Sequence, residues 1–212
     1  MYPDLLEFSD EIVHPFRDQT RSFCNYLERK LKSVKFKTEN FRRICIIGSS
    51  SPNDDCFVNS SNVLSVQIKL DETEYKSITN RCLNDYFIRL LMEGLNKIDK
   101  EIRIPKQEIV GFVNNFKADG YLNEWVFKTR QFKSIGIKCR LNCRLTTEKF
   151  HLNFLILKGS KILFDQEILK TAPDELVFAS RLKDIREENR KIIVVDKFDE
   201  SLFELSCEDL EM

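Results

Sequence analysis

Hydrophobic residues in the first half of the chain recur mainly at helical spacing. A helix over 16–34, with Pro15 in its first turn, is predicted by an apolar stripe at spacings of four, four and three: Phe23, Leu27, Leu31 and Val34. A wider stripe that begins at Tyr75 predicts a long amphipathic helix over 73–99. A further helix is expected to begin at Pro105 and to end at Asp119-Gly120.

Short apolar runs between these helices predict two strands. The first covers 41–47 and ends at Gly48 and the polar loop 49–54, and the second covers 62–70. The backbone amides of Ser49–Ser51 suit a phosphate, but the loop lacks the Gly-x-x-x-x-Gly-Lys spacing and no helix follows directly. Turn formation is therefore the favoured interpretation of this loop.

From about residue 122 the hydrophobic period changes to two, which predicts strands. A tight turn at Thr147-Glu148 joins two of them into a hairpin in which apolar residues face each other at every pair: 145 with 150, 143 with 152, 141 with 154 and 139 with 156. At the next turn, residues 159–161, a two-residue loop would place Asp165 and Glu167 on the core face. We therefore predict a longer or bulged turn that pairs Ile156 with Phe164 and Leu152 with Ile168.

The remaining patterns complete the predicted architecture. Pro173 and Asp174-Glu175 predict a short helix, and the last strand is predicted over 191–196. The fold class is α+β: an N-terminal helix, short strands and a long amphipathic helix, followed by a C-terminal antiparallel β-meander of four to six strands. Without a Gly/Ser/Pro-rich linker, we expect a single domain over 1–212, with a possible subdivision into 1–104 and 105–212.

Composition narrows the class of protein. The chain has 212 residues, 42% of them hydrophobic, which excludes global disorder. No apolar run approaches the roughly 18 residues of a membrane span, and no basic leader precedes an apolar segment. Seven cysteines without a CxxC pair favour reduced thiols and a cytoplasmic location. Cys139, Cys143 and His151 hint at zinc, but positions i and i+4 of a strand are roughly 13 Å apart, so neither metal nor cofactor is expected.

A formal net charge of zero conceals strong segregation along the chain. Residues 29–43 and 128–149 each carry seven basic residues against one acid, whereas residues 196–212 carry seven acids against one lysine. Basic segments of this kind suit phosphate backbones, and an acidic end suits a basic partner. The same charges have an explanation that requires no binding function: the basic residues lie on solvent-exposed strand faces, and the acidic residues lie in a solvent-exposed terminus.

Two weak catalytic arrangements stand out. The predicted hairpin places Arg144 beside His151 on the face opposite the core, as general acid–base chemistry on a phosphate would require. In the first half, Asp55 and Lys69 are placed as in metal-dependent nucleases, but Gln67 stands where a second carboxylate is usual. The sequence therefore favours a non-enzymatic role and leaves enzymatic activity open.

The leading hypothesis is a cytosolic protein–protein interaction module. One concrete form is an immunity- or antitoxin-type inhibitor of a toxin or other basic enzyme, bound through the acidic residues Asp199, Glu200, Glu204, Glu208 and Asp209. The alternative is a protein that binds or cleaves nucleic acid through segments 29–43 and 128–149. Its contacts would come from the basic residues Lys35, Lys37, Arg42, Arg43, Lys138, Arg140 and Arg144. No membrane partner is expected.

Overall fold

A computed structural model of the protein describes residues 1–4, 7–98 and 102–210. The chain forms two compact units, Met1–Tyr121 and Leu122–Met212. Helices occur together with antiparallel strands, which confirms the predicted α+β class. The boundary falls after the helix that begins near Pro105 rather than before it. Whether the chain folds as one domain remains a prediction. Within the described residues, no helix combines the length and the apolar character that crossing a bilayer requires.

The first unit contains a small mixed sheet and four helices among its described residues. Their bounds in chain order are β1 Tyr2–Pro3, α1 Asp10–Leu31, β2 Arg43–Ser49, β3 Phe57–Val58, β4 Val63–Lys69, α2 Glu72–Ser77, α3 Leu83–Lys97 and α4 Lys106–Ala118. The strand order is β1-β2-β4-β3. Strands β1, β2 and β4 are parallel, and β3 pairs antiparallel with β4. The carboxyl ends of the three parallel strands therefore lie at one edge of the sheet.

Helix α1 begins earlier than its apolar stripe predicts. Ser9 is extended and the helix starts at Asp10, so Pro15 lies inside it and not in its first turn. The predicted start was wrong because Ile12, which is fully buried, adds a helical turn to the core face before the stripe begins. The helix ends at Leu31, and the chain then continues without regular structure to β2.

The single helix predicted over 73–99 is in fact interrupted. Helix α2 ends before Ile78, which is extended, a 3₁₀ turn over Asn80–Cys82 follows, and α3 then begins at Leu83. The β-branched pair Ile78-Thr79 favours extended backbone, so the helical apolar period continues through a segment that is not helical. The predicted last residue, 99, lies outside the described residues.

The predicted strands of the first unit are confirmed with small shifts. Gly48 was expected to end the first strand, but it lies within β2. A Cβ atom at Gly48 would lie 2.8 Å from the Leu70 side chain, so glycine here serves close packing and not a turn. Strands β1 and β3 have two residues each, too few to produce a hydrophobic period.

The second unit is built from antiparallel strands. Its elements are β5 Glu124–Phe132, β6 Ile137–Leu145, β7 Phe150–Lys158, β8 Lys161–Thr171, α5 Glu175–Phe178, β9 Asp184–Glu188, β10 Lys191–Val195 and β11 Ser201–Ser206. The described strands form one sheet of order β5-β6-β7-β8 and another of order β11-β10-β9. Apolar residues of β6 and β7 share one core with Phe178, Ile185 and Ile192. The strand predicted over 191–196 is confirmed, but β11 follows it, so the acidic end is not only a solvated terminus.

The predicted hairpin register is confirmed at every pair. Strands β6 and β7 pair Leu145 with Phe150 and continue with the apolar pairs 143/152, 141/154 and 139/156. The turn after β7 has only two residues, because Lys158 pairs with Lys161, so a longer turn at 159–161 was wrong. A bulge near Ile156 in the strand pair produces the predicted pairing of Ile156 with Phe164 instead. A second irregularity near Leu152 places that residue opposite Leu169, so the expected pairing with Ile168 was wrong. The short helix α5 follows Asp174, whose side chain accepts the Leu176 N–H.

Candidate functional sites

The open face of the four-stranded sheet carries the histidine arrangement found in the sequence. Register places Arg144 beside His151 and Asn142 beside Asn153 on the face opposite the core, as predicted. These four side chains line an open groove of about 500 Å³ together with Glu124, Trp125, Val126, Cys143 and Glu167. Alternating strand geometry brings the polar set together, because residues two apart project to the same side.

His151 and Arg144 in this groove each lie against a carboxylate. His151 Nδ1 lies 2.5 Å from Glu167 Oε2, and Arg144 Nε lies 3.7 Å from Glu124 Oε1. The carboxylate orients the imidazole, as a catalytic dyad would require. Arg144, however, is neutralised by Glu124, so the groove has no net positive charge for a phosphate. Catalysis by His151 with Arg144 therefore remains a prediction.

Most carboxylates of the acidic end form ion pairs inside the second unit. Asp199 pairs with Lys183 and Arg186, Glu204 with Lys191, and Glu208 with Arg190. These partners hold the pKa values of the Asp199 and Glu204 carboxyls below their ordinary range. Within the described residues, the side chains of Glu200 and Asp209 form no ion pair.

The turn between β10 and β11 is held by hydrogen bonds to Asp196 and exposes the apolar side chain of Phe198. Asp196 is buried, and its carboxylate accepts the backbone N–H groups of Phe198 at 2.8 Å and Glu200 at 3.1 Å. Asp199 has a φ of 64°, a left-handed conformation that aspartate tolerates better than most residues, and its two ion pairs fix it there. The Phe198 side chain remains 74% exposed.

The two basic segments differ in how their charges are used. In the second unit, Lys128 and Arg130 both pair with Asp184, whose carboxyl pKa falls to about 2 mainly through its hydrogen bond with Arg130. Within the described residues, Lys138 and Arg140 form no ion pair. In the first unit, none of five exposed cations has an ion pair with a described carboxylate: Lys32, Lys35, Lys37, Arg42 and Arg43.

A constellation that the sequence analysis missed lies at the carboxyl edge of the parallel strands. The Glu7 carboxylate accepts hydrogen bonds from Ser49 Oγ at 3.0 Å and from the Ser50 backbone N–H at 2.5 Å. Lys69 donates to the Ser50 carbonyl oxygen. Hydrogen bonding from Ser50 is the largest cause of the lowered pKa of the Glu7 carboxyl. Glu7 follows a strand too short to be recognised, so only the general rule that ligands bind at strand carboxyl ends could have pointed to it.

The nuclease-like arrangement of Asp55 and Lys69 does not assemble as a metal site would need. Lys69 and Gln67 serve loop structure instead: Lys69 binds the Ser50 carbonyl, and the Gln67 side chain accepts the Asn53 N–H at 2.8 Å. Asp55 is exposed and, within the described residues, forms no hydrogen bond or ion pair. Hydrolysis through this pair is without geometric support.

The cysteine and histidine residues that hinted at zinc point to opposite sides of one sheet. Cys139 and Cys143 are buried on the core face, and burial raises the pKa of the Cys139 thiol to about 12. His151 lies on the open face. Across residues 1–4, 7–98 and 102–210, no three histidine, cysteine or acidic side chains come together as a metal site.

Comparison of the chain with protein-family models, with curated proteins and with solved structures finds no match.

Proposed function

We propose that this protein is a protein-binding module whose second unit presents Phe198 to its partner. The main observation is a large aromatic side chain exposed to solvent on a turn whose backbone is hydrogen-bonded to the buried Asp196 carboxylate. A folded protein gains nothing in stability from an exposed phenylalanine, whereas exposed aromatic residues are the common anchors of protein interfaces.

Pre-organisation strengthens this interpretation. The backbone around Phe198 is ordered before any partner arrives, because Asp196 accepts two of its N–H groups and Asp199 is held by Lys183 and Arg186. Ordering a loop on binding ordinarily costs affinity. A turn that is already rigid avoids that loss, so one apolar anchor contributes more of its burial energy to binding.

A second apolar segment adjoins the turn. The Lys197 N–H donates to the Ser180 carbonyl oxygen at 2.9 Å, and Arg181 pairs with Asp196 at 3.6 Å. These contacts connect the turn to a 3₁₀ turn, Ala179–Arg181, that directly follows helix α5. In α5 itself, Leu176 is 87% exposed and Val177 is also exposed. Three exposed apolar side chains on connected segments form the anchor surface, defined as Leu176, Val177 and Phe198.

The partner inferred from this chemistry is a protein with an apolar pocket and a basic rim. Glu200, two residues from Phe198, has no ion pair among the described residues and is free to meet a cation. Asp199, Glu204 and Glu208 contribute less, because their charges are balanced internally. The inhibitor hypothesis adds one requirement, that the partner is an enzyme which loses activity when bound.

The test starts with capture of a stoichiometric protein from the native host, followed by purification of that protein and calorimetry. Phe198→Ala is expected to weaken binding about 30-fold or more, as truncation of an interface anchor does. Val126→Ala is the matched control, since Val126 is 53% exposed in the same unit but outside the anchor surface. Equal losses from both substitutions, or failure to capture any stoichiometric protein, would contradict the proposal.

A second candidate function, binding to nucleic acid, is supported by one observation. The five exposed cations of residues 32–43 form no ion pair within the described part of the chain, whereas Lys128, Arg130 and Arg144 do. Unpaired cations release counterions when they meet phosphates, so they contribute more to binding than paired ones.

This second function makes a distinct prediction for salt dependence. If residues 32–43 bind a phosphate backbone, affinity for a single-stranded oligonucleotide falls linearly with the logarithm of salt concentration. Substituting Lys35, Lys37, Arg42 and Arg43 by alanine then lowers the slope by about 0.7 for each lost phosphate contact. Alanine at Lys138 and Arg140 is the comparison from the other segment. Absence of binding at low salt would reject this function.

A further inference from the structure

The strongest unassigned feature is the carboxyl edge of the parallel strands in the first unit. β1, β2 and β4 end there together, and each end contributes polar residues: Glu7 after β1, Ser49 and Ser50 at the end of β2, and Lys69 at the end of β4. In α/β sheets, ligands bind in the crevice outside the carboxyl ends of the strands. We call these four residues the strand-end site.

The donors of this site are arranged for an anion with more than one oxygen. Ser49 Oγ reaches Glu7 Oε1 at 3.0 Å, and the Ser50 N–H reaches Oε2 at 2.5 Å. Ser49 is fully buried, so its hydroxyl is held in place, while Ser50 and Lys69 are exposed. A backbone N–H, a hydroxyl and a nearby ammonium together make a typical phosphate site.

Neighbouring carboxylates are already occupied and leave Lys69 available. Asp71 caps helix α2 by accepting the Glu74 N–H, and Asp54 pairs with Lys97 at 3.4 Å. Lys69 itself contacts a neutral carbonyl oxygen. The Ser50 hydrogen bond is the main cause of the lowered pKa of the Glu7 carboxyl, and the charge of Lys69 lowers it further.

We propose that the strand-end site binds a phosphate group, and that the Glu7 carboxylate occupies the phosphate position in the free protein. The carboxylate stands in for two phosphate oxygens, on Ser49 Oγ and on the Ser50 N–H. A phosphate-bearing ligand displaces Glu7 and gains Lys69 as its counter-charge. Because Glu7 is tethered nearby, it competes at a high effective concentration and reduces the apparent affinity of the free protein for phosphate.

The experiment is a titration of the full chain with inorganic phosphate, followed through the backbone amide resonance of Ser50. Glu7→Ala vacates the site and is expected to raise the apparent phosphate affinity about tenfold or more over wild type. Glu7→Gln keeps the size and the acceptor oxygen, so its affinity is expected to lie between the two. Glu108→Gln, at an exposed position of helix α4, is the control and leaves the affinity unchanged.

The decisive comparison adds Lys69→Ala to Glu7→Ala. The proposal is supported if Lys69→Ala lowers the phosphate affinity of the Glu7→Ala variant about tenfold, and if Lys106→Ala in the same background has no effect. A Ser50 response that is equal in the presence and absence of Lys69, or no Ser50 response in Glu7→Ala, overturns it. Parallel titration with adenosine monophosphate distinguishes the source: tighter binding than free phosphate assigns a nucleotide, and equal binding assigns the anion alone. Phe198→Ala leaves these titrations unchanged, so the site is tested independently of protein binding.

Discussion

The two units of this protein pair their strands across very different distances in the sequence. In the first unit, Tyr2 pairs with Ile47 and Arg43 with Val63, in parallel. In the second, Leu145 pairs with Phe150 across a tight turn, and the neighbouring strands follow as antiparallel hairpins. When strands that are adjacent in the chain pair, the residues that share one face of the sheet can be predicted from the sequence. When distant strands pair, as in the first unit, the residues that meet at the strand-end site are far apart in the sequence.

Charges are also distributed differently in the two units. Several basic side chains in the second unit lie against a carboxylate of a neighbouring strand, as His151 does against Glu167 and Arg144 against Glu124. The first unit leaves Lys35, Lys37 and Arg42 without an ion pair among the described residues, and it gathers donors around a single carboxylate, Glu7. This difference supports the proposed phosphate site in the first unit and the proposed protein anchor in the second.

The largest expected effect comes from removing one core phenylalanine from each unit. Phe150 is fully buried and stacks on Phe178 with ring centroids 4.0 Å apart, and Phe116 is fully buried against Tyr26 at 4.8 Å. Phe150→Ala and Phe116→Ala are each expected to lower the free energy of unfolding by about 3–5 kcal/mol, measured in urea. Hydrogen exchange should then increase mainly in the unit that carries the substitution. An increase spread evenly over both units would instead show one cooperative domain.

A smaller effect is expected from two helical glycines of the first unit. A Cβ at Gly94 would lie 2.5 Å from Ile46 Cδ1, whereas a Cβ at Gly111 would have no atom within 4 Å. Gly94→Ala is therefore expected to lower the free energy of unfolding by about 1–2 kcal/mol. This is the net effect, because the cost of overpacking against Ile46 exceeds the gain in helix propensity. Gly111→Ala should raise it by up to about 1 kcal/mol. Stabilisation by Gly94→Ala would show that α3 and β2 are less closely packed than described.

The smallest expected effect concerns acid stability of the second unit. The pKa of Asp184 is about 2 in the folded protein, below its ordinary value of 3.8. Its stabilising contribution is therefore present above about pH 4 and is lost as the pH falls towards 2. Asp184→Asn should lower the free energy of unfolding at pH 7 by about 1 kcal/mol, allowing for solvent screening, and by almost nothing near pH 2. Asp209→Asn, which removes an exposed carboxylate, is the control. A difference that does not vary with pH would contradict the assigned ion pair.

Sequence reasoning succeeded where a local period and a buried face agree. The alternation through Cys139, Leu141 and Cys143 permits only one register, because a shift of one residue would turn every apolar side chain to solvent. The same alternation correctly predicts that Arg144 lies beside His151 on the face opposite the core. It failed at α2 and α3, where apolar spacing continues through the extended Ile78.

The candidate sites were less predictable than the fold. Glu7 and Ser50 are 43 residues apart, and nothing in either neighbourhood indicates the other. Phe198 lies within the acidic end, and the buried Asp196 that fixes its turn is indistinguishable in sequence from the exposed acids around it. Burial and long-range hydrogen bonds distinguish the charged residues that stabilise the fold from those that are free to bind a ligand. Neither property can be read from a short segment of sequence.

The sequence by itself determined the α+β class, the antiparallel hairpins and the apolar face of each main strand, because hydrophobic burial at period two or 3.6 acts on neighbours in the chain. Only the tertiary structure decided which charges are neutralised, that three strand ends meet around Glu7, and that Phe198 stands on a fixed turn. Such decisions depend on contacts between distant residues, whose geometry follows from the packing of whole elements. Within the described residues, most carboxylates of the acidic end and the cations Lys128, Arg130 and Arg144 form ion pairs in the second unit, whereas the five exposed cations of residues 32–43 in the first unit form none.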